Sequence, residues 1–137
     1  MDLKISHVFL PIHDHDEALA FYRDVLGFEV TTDVLFDGVN RWLTVSPPNQ
    51  PEIAIMLELV GMGRPPADKK PLAELLAKGS LASIIFRTDD ADATFEKIRK
   101  SGAEVLQEPI DQPYGVRDFS FRDPSGNQIR FAQRLSA

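Results

Sequence analysis

Apolar and polar residues alternate near the start of the chain, with Val8, Leu10 and Ile12 interleaved between His7, Phe9, Pro11 and His13. A period of two marks a strand with two distinct faces. The period then lengthens: Ala18, Phe21, Tyr22 and Val25 recur at three and four residues, which is one stripe of an amphipathic helix. Asp14 or Asp16 is placed to cap it, and Glu17 follows Asp14 at capping-box spacing. Gly27 is the natural left-handed residue to end it. Strands are predicted over 29–36, 40–46 and 52–59, divided by Asp37-Gly38 and by the Pro-rich stretch 47–51.

The same order then returns. A strand is predicted over 81–88 and a helix over 92–100, capped by Asp90 or Asp92, with Ala91, Thr94, Phe95 and Ile98 as its inner stripe and Gly102 after it. Strands over 104–108, 117–122 and 128–133 follow, the last two joined by the tight turn Asp123-Pro124-Ser125-Gly126-Asn127. Residues 7–14 (HVFLPIHD) correspond to 83–90 (SIIFRTDD) at an offset of 83 − 7 = 76, and Gly27 to Gly102 at 102 − 27 = 75. The pattern predicts an α+β fold of two βαβββ modules in tandem, forming a curved eight-stranded sheet around a cleft. The expected organisation is one domain, 1–137, with module 1 at about 3–60, a linker at 61–80 and module 2 at about 81–135. Within the linker, Pro71 is expected to open a short helix over 72–78 that Gly79 closes. The segment reads as a plain crossover or as a lid.

The 137 residues hold no cysteine, which excludes disulfides, thiolate metal sites and a cysteine nucleophile. A formal charge of −6 argues against a nucleic-acid or anionic-membrane surface. Met1 to Ser6 lacks a basic stretch leading into an apolar one, and no apolar run approaches a membrane span, so a cytoplasmic location is expected.

Three stretches carry a family likeness: 7–12 (HVFLPI), 18–28 (ALAFYRDVLGF) and 123–129 (DPSGNQI). Together with the duplication they resemble the vicinal oxygen chelate superfamily, which includes glyoxalase I, bleomycin-resistance proteins, extradiol dioxygenases and methylmalonyl-CoA epimerase. The resemblance implies the fold, a small-molecule ligand and a homodimer. It also implies four inward positions that hold a divalent metal in the enzymes. Here the first is His7. The second is Glu58 or Ile55, depending on register, and these lie three apart and so on opposite faces. The third falls on Ser83 and the fourth on Arg130, where metal-binding members carry His and Glu. Serine is a poor ligand for such ions and arginine has no lone pair to donate. The metal set is thus His7 and Glu58 at most, and no cofactor is expected. His13 lies six residues from His7, too far along a strand to share an ion, and His15 falls in the solvated cap loop.

By strand parity, Ser83, Ile85 and Arg87, with Gln128, Arg130 and Ala132, face the pocket, joined by His7, Phe9 and Pro11. The candidate ligand-binding residues are His7, Phe9, Trp42, Ser83, Arg87, Tyr114 and Arg130. Two arginines suit a carboxylate, phosphate or enolate. Alternatively Glu58, Glu52 or Asp118 neutralises them internally. Trp42 is a stacking wall, or a core or dimer-interface residue; Tyr114 is a pocket-mouth hydroxyl or a loop anchor; His7 is a hydrogen-bonded histidine or a base. No catalytic residue is assigned. The expected function is binding of a small anionic or aromatic molecule in the cleft by a protein with a degenerate metal site. The alternative is a metal-dependent lyase, epimerase or dioxygenase.

Overall fold

The computed structural model describes residues 1–135, so the last two positions of the expected 1–137 domain lie outside the described residues. The chain separates into two compact units, Met1–Glu74 and Leu75 onward. The first contains β1 (His7–Ile12), α1 (His15–Leu19), β2 (Glu29–Leu35), β3 (Arg41–Ser46) and β4 (Ala54–Leu59). Helix α2 (Pro66–Ala77) crosses the division. The second unit continues with β5 (Ser83–Arg87), α3 (Ala91–Arg99), β6 (Glu104–Asp111), β7 (Val116–Arg122) and β8 (Gln128–Arg134).

The repeat in the sequence is a repeat in topology. One sheet runs β1-β4-β3-β2 and the other β5-β8-β7-β6. In each, the first strand pairs in parallel with the last and the remaining pairs are antiparallel. The fold is α+β with two βαβββ modules, as expected. Its eight strands hydrogen-bond as two sheets of four, each within its own unit, and not as one sheet of eight.

Both helices begin where the acidic caps sit. Asp14 Oδ1 accepts from the Glu17 amide at 2.9 Å, and Asp90 Oδ1 from the Ala93 amide at 3.0 Å. These satisfy amides that have no partner inside the helix. After Leu19 the first helix widens: Ala20–Val25 is π-helical, and the Leu26 amide reaches back five residues to the Phe21 carbonyl at 2.9 Å. The wider turn shifts the phase of the stripe, so Leu19 joins Ala18, Phe21 and Tyr22 in the core while Val25 is only half-buried.

Helix α2 differs from the expectation at its start. It begins at Pro66 and carries Pro71 inside it, instead of opening at Pro71. Pro66 is well suited to a first helical position, and the first five residues are exposed, so no packing opposes them. Gly79, at φ +81°, ends it: its amide donates to the Leu76 carbonyl and that of Ser80 to the Leu75 carbonyl. This pair of bonds is a Schellman motif.

Each unit has its own core. In the first, Leu10, Ile12, Phe21, Tyr22, Leu43, Val45, Ile55 and Leu57 are buried. In the second, Phe95, Phe119, Phe121 and Phe131 pack ring against ring, with Phe119 and Phe131 stacked at 5.0 Å. Burying rings of this size dominates the packing energy of so small a unit. Among the described residues, no helix is long and apolar enough to cross a membrane.

Candidate ligand-binding faces

Strand parity decides what each sheet leaves uncovered. In β1, Leu10 and Ile12 are buried while His7 and Phe9 are exposed. The opposite face carries His7 and Phe9 exposed on β1 and Met56 and Thr44 buried on β4 and β3, and Trp42 from β3 shares it. Its indole meets His7 at 6.1 Å, Phe9 at 6.0 Å and Phe36 at 6.2 Å between ring centroids, all edge to face. Trp42 is half-buried, and Phe9 and Phe36 keep 54% and 56% of their surface exposed. The tryptophan is thus not a residue of this unit's core. His7 Nδ1 is hydrogen-bonded with Ser6 Oγ at 3.0 Å; its orienting partner is a hydroxyl and not a carboxylate.

The register between β1 and β4 resolves the position of Glu58. Val8 lies beside Ile55 and Pro11 beside Glu58, so Glu58 shares the face of His7 while Ile55 is buried on the other. His7 itself lies beside Ala54, four residues from Glu58, which is about 13 Å of strand. Burial pushes the Glu58 carboxyl up, and Arg64 only partly offsets this. Among the described residues, no three His, Asp or Glu side chains converge closely enough to hold one ion. The donors at the family's positions, His7 and Glu58 far apart, Ser83, and the cationic Arg130, do not fit a chelated divalent metal.

In the second sheet, Ser83, Ile85 and Arg87 lie beside Gln128, Arg130 and Ala132, and these beside Arg122, Ser120 and Asp118. All share the face away from the Phe cluster. Asp118 is 1% exposed and sits at the centre of a network. It accepts from Gln107 Nε2 and Gln112 Nε2, each at 2.9 Å, and lies 3.2 Å from Arg130 Nη1. The same Nη1 donates to Gln107 Oε1 at 3.0 Å. Burial pushes the Asp118 carboxyl up, but the bonds from Gln112 and Gln107 and the charge of Arg130 outweigh it and hold the carboxyl below its ordinary value. The Tyr114 hydroxyl reaches Asp118 Oδ2 at 3.5 Å while the residue stays 70% exposed. Arg130 therefore has its internal counter-ion. The Arg87 side chain has no ion pair or hydrogen bond among the described residues.

The first unit thus brings His7, Phe9 and Trp42 together, and the second sets Ser83, Arg87 and Arg130 on one face with Tyr114 tied to Asp118. Parity missed three participants. Phe36 follows a bulge in β2 between Val30 and Thr32, which resets the alternation. Gln107 sits between two irregularities of β6, and Gln112 lies beyond its end. His15 is also not the solvated loop residue expected. It opens α1, and its Nε2 is buried with no hydrogen-bond partner among the described residues. Burial, reinforced by Arg41, lowers its pKa against the pull of Asp14, Asp16 and Asp33.

Comparison with known proteins adds four observations. A family model described as Glyoxalase/Bleomycin resistance protein/Dioxygenase superfamily matches residues 4–131. The crystal structure of UcmS2 is similar with a TM-score of 0.88 at 35% identity, covering 99% of this chain and 100% of that one. That of TnmS3, described as an antibiotic binding protein from Streptomyces sp. CB03234, is similar with a TM-score of 0.75 at 27% identity, covering 97% of each. The protein YurT of Bacillus subtilis (strain 168), itself uncharacterized, is 30% identical over 135 residues, 98% of this chain and 100% of YurT.

Proposed function

We propose that this chain, which belongs to the Glyoxalase/Bleomycin resistance protein/Dioxygenase superfamily, is a metal-independent binding protein for a small aromatic or anionic molecule. The aromatic cluster on the His7–Phe9 face of the first sheet carries this reading. Trp42, Phe9, Phe36 and His7 present rings to solvent where a folded protein gains by covering them. Apolar surface gains about 25 cal/mol per Å² on leaving water, and edge-to-face ring pairs add about 0.5–1.5 kcal/mol each. The residues proposed to bind are His7, Phe9 and Trp42 on the sheet of the first unit and, on the sheet of the second taken by itself, Ser83, Arg87, Tyr114 and Arg130. The description of TnmS3 as an antibiotic binding protein supports binding of a small molecule. The donor set at the family's metal positions supports metal independence. A cytoplasmic homodimer, as the fold usually forms, completes the proposal; light scattering after gel filtration tests the pairing.

Trp42 is the only tryptophan, so its fluorescence reports this face alone. Titration with planar aromatic probes such as 2-naphthamide and 2-naphthoate is expected to give a saturable change that Phe9→Ala weakens. No saturable change, with calorimetry equally silent, would sink the aromatic reading. Metal content after exposure to Mn, Fe, Co, Ni and Zn and desalting tests the rest. A near-stoichiometric metal that disappears in His7→Ala would replace it with the lyase, epimerase or dioxygenase alternative.

A further inference from the structure

We propose that the open face of the second sheet carries an oxyanion subsite, formed by the free edge of Arg130 together with Arg87, which takes a carboxylate or phosphate group of the ligand. The inference rests on the small-molecule-binding reading and names the charged group that such a molecule carries.

The network around Asp118 occupies only one end of the Arg130 guanidinium. Nη1 donates to Gln107 Oε1 and lies against Asp118 Oδ2. Nε and Nη2 have no protein partner among the described residues, and the side chain keeps 34% of its surface exposed. The Nε–Nη2 edge is one of the two edges on which guanidinium binds a carboxylate or phosphate with two parallel hydrogen bonds. Gln107 is itself held, donating to the Asp118 carboxylate and to its backbone carbonyl at 3.2 Å. The guanidinium is therefore fixed before any ligand arrives, which lowers the entropy lost on binding.

Arg87 is placed to assist. Arg130 lies beside Ile85, and Arg87 follows two residues along the same strand on the same face. The two Cα positions are diagonal neighbours, about 8 Å apart, within reach of two long side chains converging on one group. Arg87 is exposed and unpaired among the described residues. Arg122 on the same face is already engaged by Glu104 and the Gly126 carbonyl. Asp118 offsets one positive charge, and the Arg87–Arg130 pair with it leaves a net of +1. Asp118 so serves as a clamp that aims Arg130 without cancelling the pair.

The test uses the full-length ¹⁵N-labelled protein and follows the arginine Nε–Hε resonances, assigned with Arg87→Lys and Arg130→Lys. Acetate, benzoate and inorganic phosphate are titrated, with chloride at matched ionic strength as control. The expected result is a saturable shift at Arg130 and Arg87, half complete at about 10 mM or below. Arg130→Lys is expected to weaken it about tenfold, since lysine cannot form the bidentate pair, and Arg87→Ala about fivefold. Arg134→Ala, further along the same face of β8, is expected to change it less than about twofold. A tighter response to phosphate than to either carboxylate identifies a phosphorylated ligand, and the reverse order a carboxylate. Shifts that grow linearly and match chloride, or saturable shifts that survive both Arg130→Lys and Arg87→Ala, overturn the subsite. The Trp42 titration with neutral 2-naphthamide separates the two readings. A response there without anion binding removes the subsite alone, and anion binding without that response removes the aromatic surface alone.

Discussion

Trp42 and Phe9 meet edge to face, 6.0 Å apart at 87°, although β4 separates their strands in the sheet. The indole thus reaches over a full strand, and the cluster it gathers sits on the solvent side of that strand. Its energetic weight should be that of a surface assembly. Trp42→Ala is expected to cost about 1–2 kcal/mol of stability, the worth of a few ring contacts at a half-exposed site. Phe119→Ala, which empties a fully buried site, should cost about 3–5 kcal/mol. Urea unfolding of both variants measures the contrast. Equal costs would mean that Trp42 is part of a core.

Gly126 is held by its neighbours rather than by its turn alone. A Cβ there would lie 2.1 Å from the Leu76 carbonyl oxygen and 3.0 Å from that of Ala77, both backbone atoms at the end of α2. Its φ of +115° adds strain for any other residue. Gly126→Ala is therefore expected to cost more than about 2 kcal/mol, against about 1 kcal/mol at Gly115, where a Cβ meets nothing. Chemical denaturation of the two variants tests this, and equal costs would refute the close approach.

The same turn shows why the fold was legible in the sequence. Asp123 Oδ1 accepts from the amides of Ser125, Gly126 and Asn127, at 2.9, 3.0 and 2.9 Å, so the motif at 123–127 encodes its own hydrogen bonds. Asp14 and Asp90 likewise announce their helices by local chemistry. Parity sets His7 with Phe9 on one face of the first sheet and Ser83, Arg87 and Arg130 on one face of the second, and the register agrees because β1, β5 and β8 are regular. In β2 and β6 bulges break the period of two, so no alternation in the sequence points to Phe36, just after β2, or to Gln107. The choice between Glu58 and Ile55 needed the pairing of β4 with β1, a contact between residues far apart in sequence that no local pattern encodes. The π-helical turn and the early start of α2 were hidden for a related reason: both depend on which backbone bonds the surroundings tolerate.

Asp118 makes stability depend on acid. Its folded pKa lies below the unfolded value of about 3.9, so the ionised carboxylate contributes stability above that pH, and the contribution is lost as pH falls through the folded value. Asp118→Asn removes the charge and leaves Arg130 without its counter-ion, at an expected cost of about 1–3 kcal/mol at pH 7. The gap to the unmodified protein should narrow below about pH 4. Unfolding curves between pH 3 and 7 follow it, and a gap independent of pH would show that packing and not charge is lost.

Glu58 has the opposite sign. Burial raises its carboxyl pKa with only partial relief from Arg64, so the folded state holds its proton to higher pH than the unfolded chain does. Ionisation of Glu58 therefore costs stability above the folded pKa, and the cost disappears as pH falls to the unfolded value near 4.3. Glu58→Gln, neutral at every pH, is expected to stabilise the protein at pH 8 and to match it at pH 4. The gain should stay under about 1 kcal/mol, because solvent still screens a side chain that is only half-buried. Thermal or urea unfolding at the two pH values reads the difference directly. A bound divalent cation at this carboxylate would reverse the outcome, since the glutamine would then remove a ligand and lower stability at pH 8 in the presence of metal.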